Sequence, residues 1–81
     1  MPKKIEIGYY AILRQQAGRT EEILDTASAN PAELYAELQT RYGFTVPPAM
    51  LKVAVNDEFA TWGTPLADGD KVVFIAPVAG G

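Results

Sequence analysis

The sequence predicts an α+β fold in one small domain: a mixed sheet of four to five strands with one main covering helix and one short helix. Three observations predict it. Eighty-one residues that are 48% hydrophobic and 21% charged supply apolar material for one core and too little chain for two. Apolar and polar residues alternate in several short runs, which is the period of a strand with one covered face. One longer segment, between Asn30 and Gly43, instead repeats its apolar residues at helical spacing between a start signal and a stop signal.

In chain order, Ile5, Ile7 and Tyr9 alternate with Glu6, Gly8 and Tyr10, so a first strand is expected to end near Tyr10. Ala11 to Ala17 are good helix formers and stop at Gly18, which predicts a short helix of about two turns. Thr20 to Leu24 suits a polar edge strand, with Glu21 and Glu22 discouraging further pairing. Asn30-Pro31-Ala32-Glu33 then combines an N-cap, a proline at the first helical position and a Glu placed to return a capping bond. Leu34, Leu38 and Tyr42, with Tyr35 beside them, form the buried stripe of this main helix.

Pro47-Pro48 is expected to exclude helix before the next strand, in which Leu51, Val53 and Val55 point inward and Lys52, Ala54 and Asn56 outward. Asn56-Asp57 reads as a turn, Phe59 to Thr61 as a short strand, and Asp68-Gly69-Asp70 as a second turn. Lys71 to Ala76 is almost wholly apolar, as a central strand covered on both faces would be, and Pro77 ends it. Strand, short helix, strand, long helix and two or three further strands make the β-grasp arrangement. Residues 1–76 are read as the domain and 77–81 as a flexible tail ending in Gly80-Gly81.

Composition removes several kinds of function. The chain has no Cys and no His, which excludes thiol nucleophiles, persulfide carriage on the chain itself, Cys-based zinc sites and imidazole catalysis. An enzyme acting alone is therefore not expected, nor any bound metal or cofactor. A net charge of −3, with basic residues scattered, removes the electrostatic drive for nucleic-acid binding. No signal-peptide core or membrane-length apolar run is present, so a cytoplasmic location and no membrane association are expected. Asp68 and Asp70 could be taken for a metal pair, but Asp-Gly-Asp before a strand is ordinary turn chemistry.

The tail is where chemistry could reside. Val78 to Gly81, extended, would reach ~13 Å beyond the domain. Glycines at its end would let it thread a channel too narrow for other residues. Its one reactive group would be the carboxylate of Gly81, with Gly80 admitting it to the channel. A carboxylate is a poor electrophile and needs activation, most simply adenylation with ATP by a partner, because the chain has no Walker-type phosphate loop.

Strand parity supplies a partner surface. Lys71 facing water places Val73 and Ile75 on the outer face, together with Tyr10 and Ala54. Tyr10, Phe59, Val73 and Ile75 would form an exposed apolar patch near the tail, unless the short helix or the Pro47-Pro48 loop covers part of it. Val78, at the tail's base, is counted with these docking residues. Arg14 is either a solvated helix residue or a pairing residue across the same interface, and Trp62 is read as a core or edge plug.

The whole chain resembles the small subunit of molybdopterin synthase, a family of sulfur carriers with a ubiquitin-like β-grasp fold. The resemblance rests on Tyr9-Tyr10-Ala11-Ile12-Leu13-Arg14 followed by Gly18, on Val53-Ala54-Val55-Asn56, and on Leu66-Ala67-Asp68-Gly69-Asp70-Lys71-Val72 continuing to Pro77-Val78-Ala79-Gly80-Gly81. The last block is shared with thiamine-pathway sulfur carriers; the Arg14 segment and the longer chain favour the molybdopterin branch. Ala76-Pro77 stands where the family often has two prolines.

The resemblance implies that an adenylating enzyme of the ubiquitin-activating type uses ATP to activate Gly81, and that a sulfur donor protein converts it to a thiocarboxylate. The large subunit, in a heterotetrameric assembly, would then use that sulfur on precursor Z. A thiamine-type sulfur carrier or a ubiquitin-like modifier joined through Gly81 to lysines, and then a non-covalent interaction module, are the alternatives.

Overall fold

A computed structural model describes residues 2–76. The chain runs β1 (Lys3–Tyr9), α1 (Ala11–Ala17), β2 (Glu21–Thr26), α2 (Pro31–Tyr42), a single 3-10 turn (Pro48–Met50), β3 (Lys52–Val55), β4 (Glu58–Ala60) and β5 (Lys71–Ile75). The strands form one five-stranded sheet in the order β2-β1-β5-β3-β4. The β1–β5 pair is parallel and the other three pairs are antiparallel. The sheet is therefore mixed, and the strand made last lies at its centre.

Each element has a local cause. The side chain of Asn30 accepts a hydrogen bond from the Glu33 amide at 2.9 Å, so the N-terminus of α2 is capped, and left-handed Gly43 closes its other end. Glu33 returns its bond one residue beyond the cap, accepting from the Ala29 amide at 2.9 Å. Gly18 ends α1 in the same left-handed conformation. The β3–β4 turn has positive φ at both Asn56 and Asp57, the geometry that matches the twist of a tight hairpin.

The carboxylate of Asp70 accepts bonds from the Ala67 amide and the Asn56 side chain. These bonds, the first more than the second, hold the Asp70 carboxyl below its ordinary range against a small opposing effect of burial. Asp68 accepts from the Lys4 amide at 2.7 Å. Both aspartates thus serve the turn that delivers the chain into β5. Among the described residues, no group of three or more Asp or Glu side chains could hold a metal ion.

The core lies between one face of the sheet and α2. Ile5, Ile7, Tyr9, Leu24, Val53, Val72 and Phe74 from the sheet meet Leu34, Tyr35 and Leu38 from the helix, with Leu13 of α1 joining them. Aromatic rings fill the layer: Tyr35 stands 5.1 Å from Phe74 and 5.7 Å from Phe44, and Trp62 stacks on Phe74 at 5.8 Å. Trp62 is thus a plug at the edge of the core. Its carbonyl also accepts the Ala32 amide, which ties the β4–β5 connection to the start of α2.

Three expectations are corrected. Pro47-Pro48 does not exclude helix altogether: Pro48 starts the 3-10 turn, where its missing N–H is not needed. β5 is central but covered on one face only, with Val72 and Phe74 buried and Val73 and Ile75 on the other side. Glu22 does not guard an edge. It points to the core side of β2, where its carboxyl accepts the hydroxyls of Tyr9 and Tyr42, each at 2.5 Å.

Candidate functional site

The face of the sheet away from α2 carries the candidate site. Because β1 and β5 are parallel, with Tyr9 opposite Phe74, their C-terminal ends lie side by side and Tyr10 follows at the level of Ile75. On the other flank of β5, Val73 pairs with Ala54, which in turn pairs with Phe59. Tyr10, Ala54, Asp57, Phe59, Val73 and Ile75 together line a shallow depression of about 410 Å³.

These side chains are open to solvent in the free chain. Tyr10 is 53% exposed, Phe59 76% and Ile75 37%, while Val73 is half-buried between them. Neither α1 nor the Pro47-Pro48 loop closes over the group. Alternation along β1 and β5 explains the arrangement: their inward positions supply Tyr9, Val72 and Phe74 to the core, leaving Tyr10, Val73 and Ile75 on the opposite face. Apolar side chains gathered this way form one contiguous exposed patch, where scattered apolar residues would be ordinary surface.

Two further features adjoin the residues that line the depression. Ala11 has φ of 52°, a left-handed conformation that costs a residue with a Cβ and turns the chain abruptly from β1 into α1 just after Tyr10. Gly8, two residues before Tyr10 on the same face, is buried, and parity alone gave no reason to single it out. At the other end of this face the character changes to ion pairs, Lys4 with Asp25 at 3.0 Å and Lys71 with Glu6 at 3.9 Å, both exposed. Ile23 stands alone there, 69% exposed.

Arg14 lies exposed on α1, outside the side chains lining the depression. Val78, Gly80 and Gly81 lie outside the described residues, as does the rest of the tail expected at 77–81. β5 ends at Ile75, within the depression, so the chain leaves the sheet at the apolar end of the open face. No described helix is long and apolar enough to cross a membrane.

A mixed five-stranded sheet grasping one main helix, with its last strand central and its free face apolar where that strand ends, defines a ubiquitin-like β-grasp protein of the α+β class. The chain belongs to the ThiS family, which it matches over residues 7–81. It is 30% identical over 80 residues to the molybdopterin synthase sulfur carrier subunit of Escherichia coli, a match covering 95% of this chain and 99% of that one.

Among solved structures it is similar to one chain of the protein-protein complex of subunits 1 and 2 of molybdopterin-converting factor from Helicobacter pylori. There the TM-score is 0.67 and the identity 25%, over 96% of this chain and 99% of the other. It shares its fold with small archaeal modifier protein 1 of Methanosarcina acetivorans, at a TM-score of 0.81 and 18% identity, over 100% of this chain and 99% of that one.

Proposed function

We infer that this chain is the sulfur-carrying small subunit of a molybdopterin synthase, with the open face docking on the large subunit and the Gly80-Gly81 end entering its active site. The observation that carries this reading is the apolar depression at the end of β5, the strand from which the chain continues to Gly81. On this reading the patch fixes the domain on its partner, and the Gly80-Gly81 end supplies the group that reacts. The family match and the curated relative support the same reading.

The chemistry needs nothing from the folded domain except position. In an adenylating partner of the ubiquitin-activating type, an oxygen of the Gly81 carboxylate attacks the α-phosphorus of ATP and expels pyrophosphate. A donor protein then supplies sulfur at the oxidation level of hydrosulfide, which adds to the acyl carbon and displaces AMP, leaving a thiocarboxylate. In the large subunit the thiocarboxylate sulfur attacks a carbon of precursor Z and displaces an oxygen substituent from it, as phosphate oxygen or water; hydrolysis of the acyl–sulfur bond then leaves the sulfur on the pterin and returns Gly81 as a carboxylate. Two charged carriers supply the two sulfurs of one dithiolene. The chain has no Cys or His to perform any of these steps itself.

The test is the intact mass of the protein isolated from its own cells. A fraction heavier by one oxygen-for-sulfur exchange at the C-terminus is expected, and it should disappear when the adenylating enzyme is deleted. Ladders of conjugates on lysines in place of that species would show a protein modifier instead. Deletion of the chain should abolish molybdopterin while leaving growth without thiamine intact; the reverse pattern would assign it to the thiamine pathway.

A further inference from the structure

Across the apolar end of the open face the paired residues run Gly8, Val73, Ala54, Phe59, from β1 through β5 and β3 to β4. Small residues thus flank Val73 on both sides, and the large side chains of Tyr10 and Phe59 stand beyond them. We propose that Gly8 is a specificity-determining residue of this face, setting how deeply an apolar side chain of the large subunit can seat between Tyr10 and Phe59. The proposal rests on the docking role given to the face above.

The backbone does not require glycine here. Gly18, Gly43 and Gly69 have the positive φ that favours this residue, but Gly8 lies inside a strand without it. Glycine within a strand weakens it, so the position calls for another cause. That cause is space. A Cβ at position 8 would lie 3.3 Å from Cγ2 of Val73, closer than side chains ordinarily approach, and 3.9 Å from Cε2 of Tyr10, at normal contact.

One edge of the Tyr10 ring therefore lies near Gly8 at a distance that a Cβ would just fill, beside Val73. A Cβ at position 8 requires Val73 to give by a few tenths of an ångström and takes up the space next to Tyr10, and a branched side chain there fills more of the floor, without touching the core on the other face. Pairing between β1 and β5, set by backbone hydrogen bonds and by the inward Ile7, Tyr9, Val72 and Phe74, is left in place.

The experiment uses the full chain and the molybdopterin synthase large subunit of the same organism, with affinity measured by calorimetry for the wild type, Gly8→Ala, Gly8→Val and Ile75→Lys. Melting temperatures are measured on each free variant. Gly8→Ala should lower affinity about tenfold, the scale of one overpacked contact, and Gly8→Val should lower it further. Melting of Gly8→Ala should change less than its affinity does, because the better fit of alanine to a strand and the few tenths of an ångström that Val73 must give act in opposite directions.

A second readout follows the ring itself. A Gly8 Hα resonance should be displaced by the Tyr10 ring current in the wild type and lose that displacement in Tyr10→Ala, while Gly8→Ala should shift the Tyr10 ring resonances. Undiminished affinity in both Gly8 variants, with Ile75→Lys impaired, would overturn the proposal and leave the docking face standing. Undiminished affinity in Ile75→Lys as well would overturn the docking face, and this proposal with it. A fall in affinity matched by a fall in melting temperature would also overturn it, since Gly8 would then serve the fold.

Discussion

At Glu22 a carboxyl group whose side chain is only 7% exposed joins three elements, accepting the hydroxyls of Tyr9 on β1 and Tyr42 on α2 from its own place on β2. Arg19 approaches at 3.4 Å but is half in water, so its pairing adds little. Glu22→Ala would leave the buried Tyr9 hydroxyl without its acceptor and should cost about 1–3 kcal/mol in urea denaturation, with Tyr42→Phe costing less. The same tyrosines set the alkaline limit of the fold. Burial first, then the hydrogen bond to Glu22 and its charge, push the phenols of Tyr9 and Tyr42 up from 10.0, and burial alone raises Tyr35. The folded chain therefore keeps these protons where the unfolded chain releases them. Their contribution to stability is whole below about pH 10 and is lost as pH rises beyond it. Tyrosinate absorbance from these three residues should appear together with loss of far-ultraviolet circular dichroism; full ionisation in a still-folded protein would contradict this.

Among the elements, α2 depends most visibly on its ends. Asn30→Ala removes the acceptor for the Glu33 amide and should lower stability by about 1 kcal/mol, read as a shift in denaturation midpoint with an unchanged slope. This helix was legible in the sequence because its cap, its proline and its apolar stripe all specify the same segment. The parity of β1, β3 and β5 was equally plain, since Lys71 and Lys52 mark the solvent side, and that parity is enough to bring Tyr10, Phe59, Val73 and Ile75 onto one face. What escaped notice depends on neighbours far along the chain. Glu22 looked like an edge charge because its phenol partners come from β1 and from the last turn of α2. Thr26, buried on β2, likewise donates its hydroxyl to Glu37, a polar residue beside the apolar stripe of α2, while accepting from the nearby Ser28 amide. Gly8 looked like an ordinary interruption because the reason for it, Val73, lies on a strand paired across most of the chain's length.

For the molecule as a whole, docking and chemistry are assigned to separate parts, and a variant should be able to separate them. On the proposed function, Gly80→Val should leave affinity for the large subunit in place, because it alters none of Tyr10, Phe59, Val73 and Ile75, while single-turnover sulfur transfer falls by about tenfold or more, as a branched side chain restricts the backbone and obstructs a narrow channel. Undiminished transfer by this variant would refute entry of the tail into such a channel. The place of β5 has a consequence for how the molecule is made. Before β5 is laid down, β2–β1 and β3–β4 are two hairpin-like pairs with no shared ladder, and only the final strand joins them. A chain still held by the ribosome at that strand cannot complete its sheet, because the joining segment is the last of the domain to emerge. Assembly of the open apolar face therefore waits for β5, which brings Val73 and Ile75 to it and joins β1 to β3. A chain broken off before Lys71 keeps both flanking strand pairs but has no strand to unite them, so it carries Tyr10 and Phe59 without the surface that lies between them.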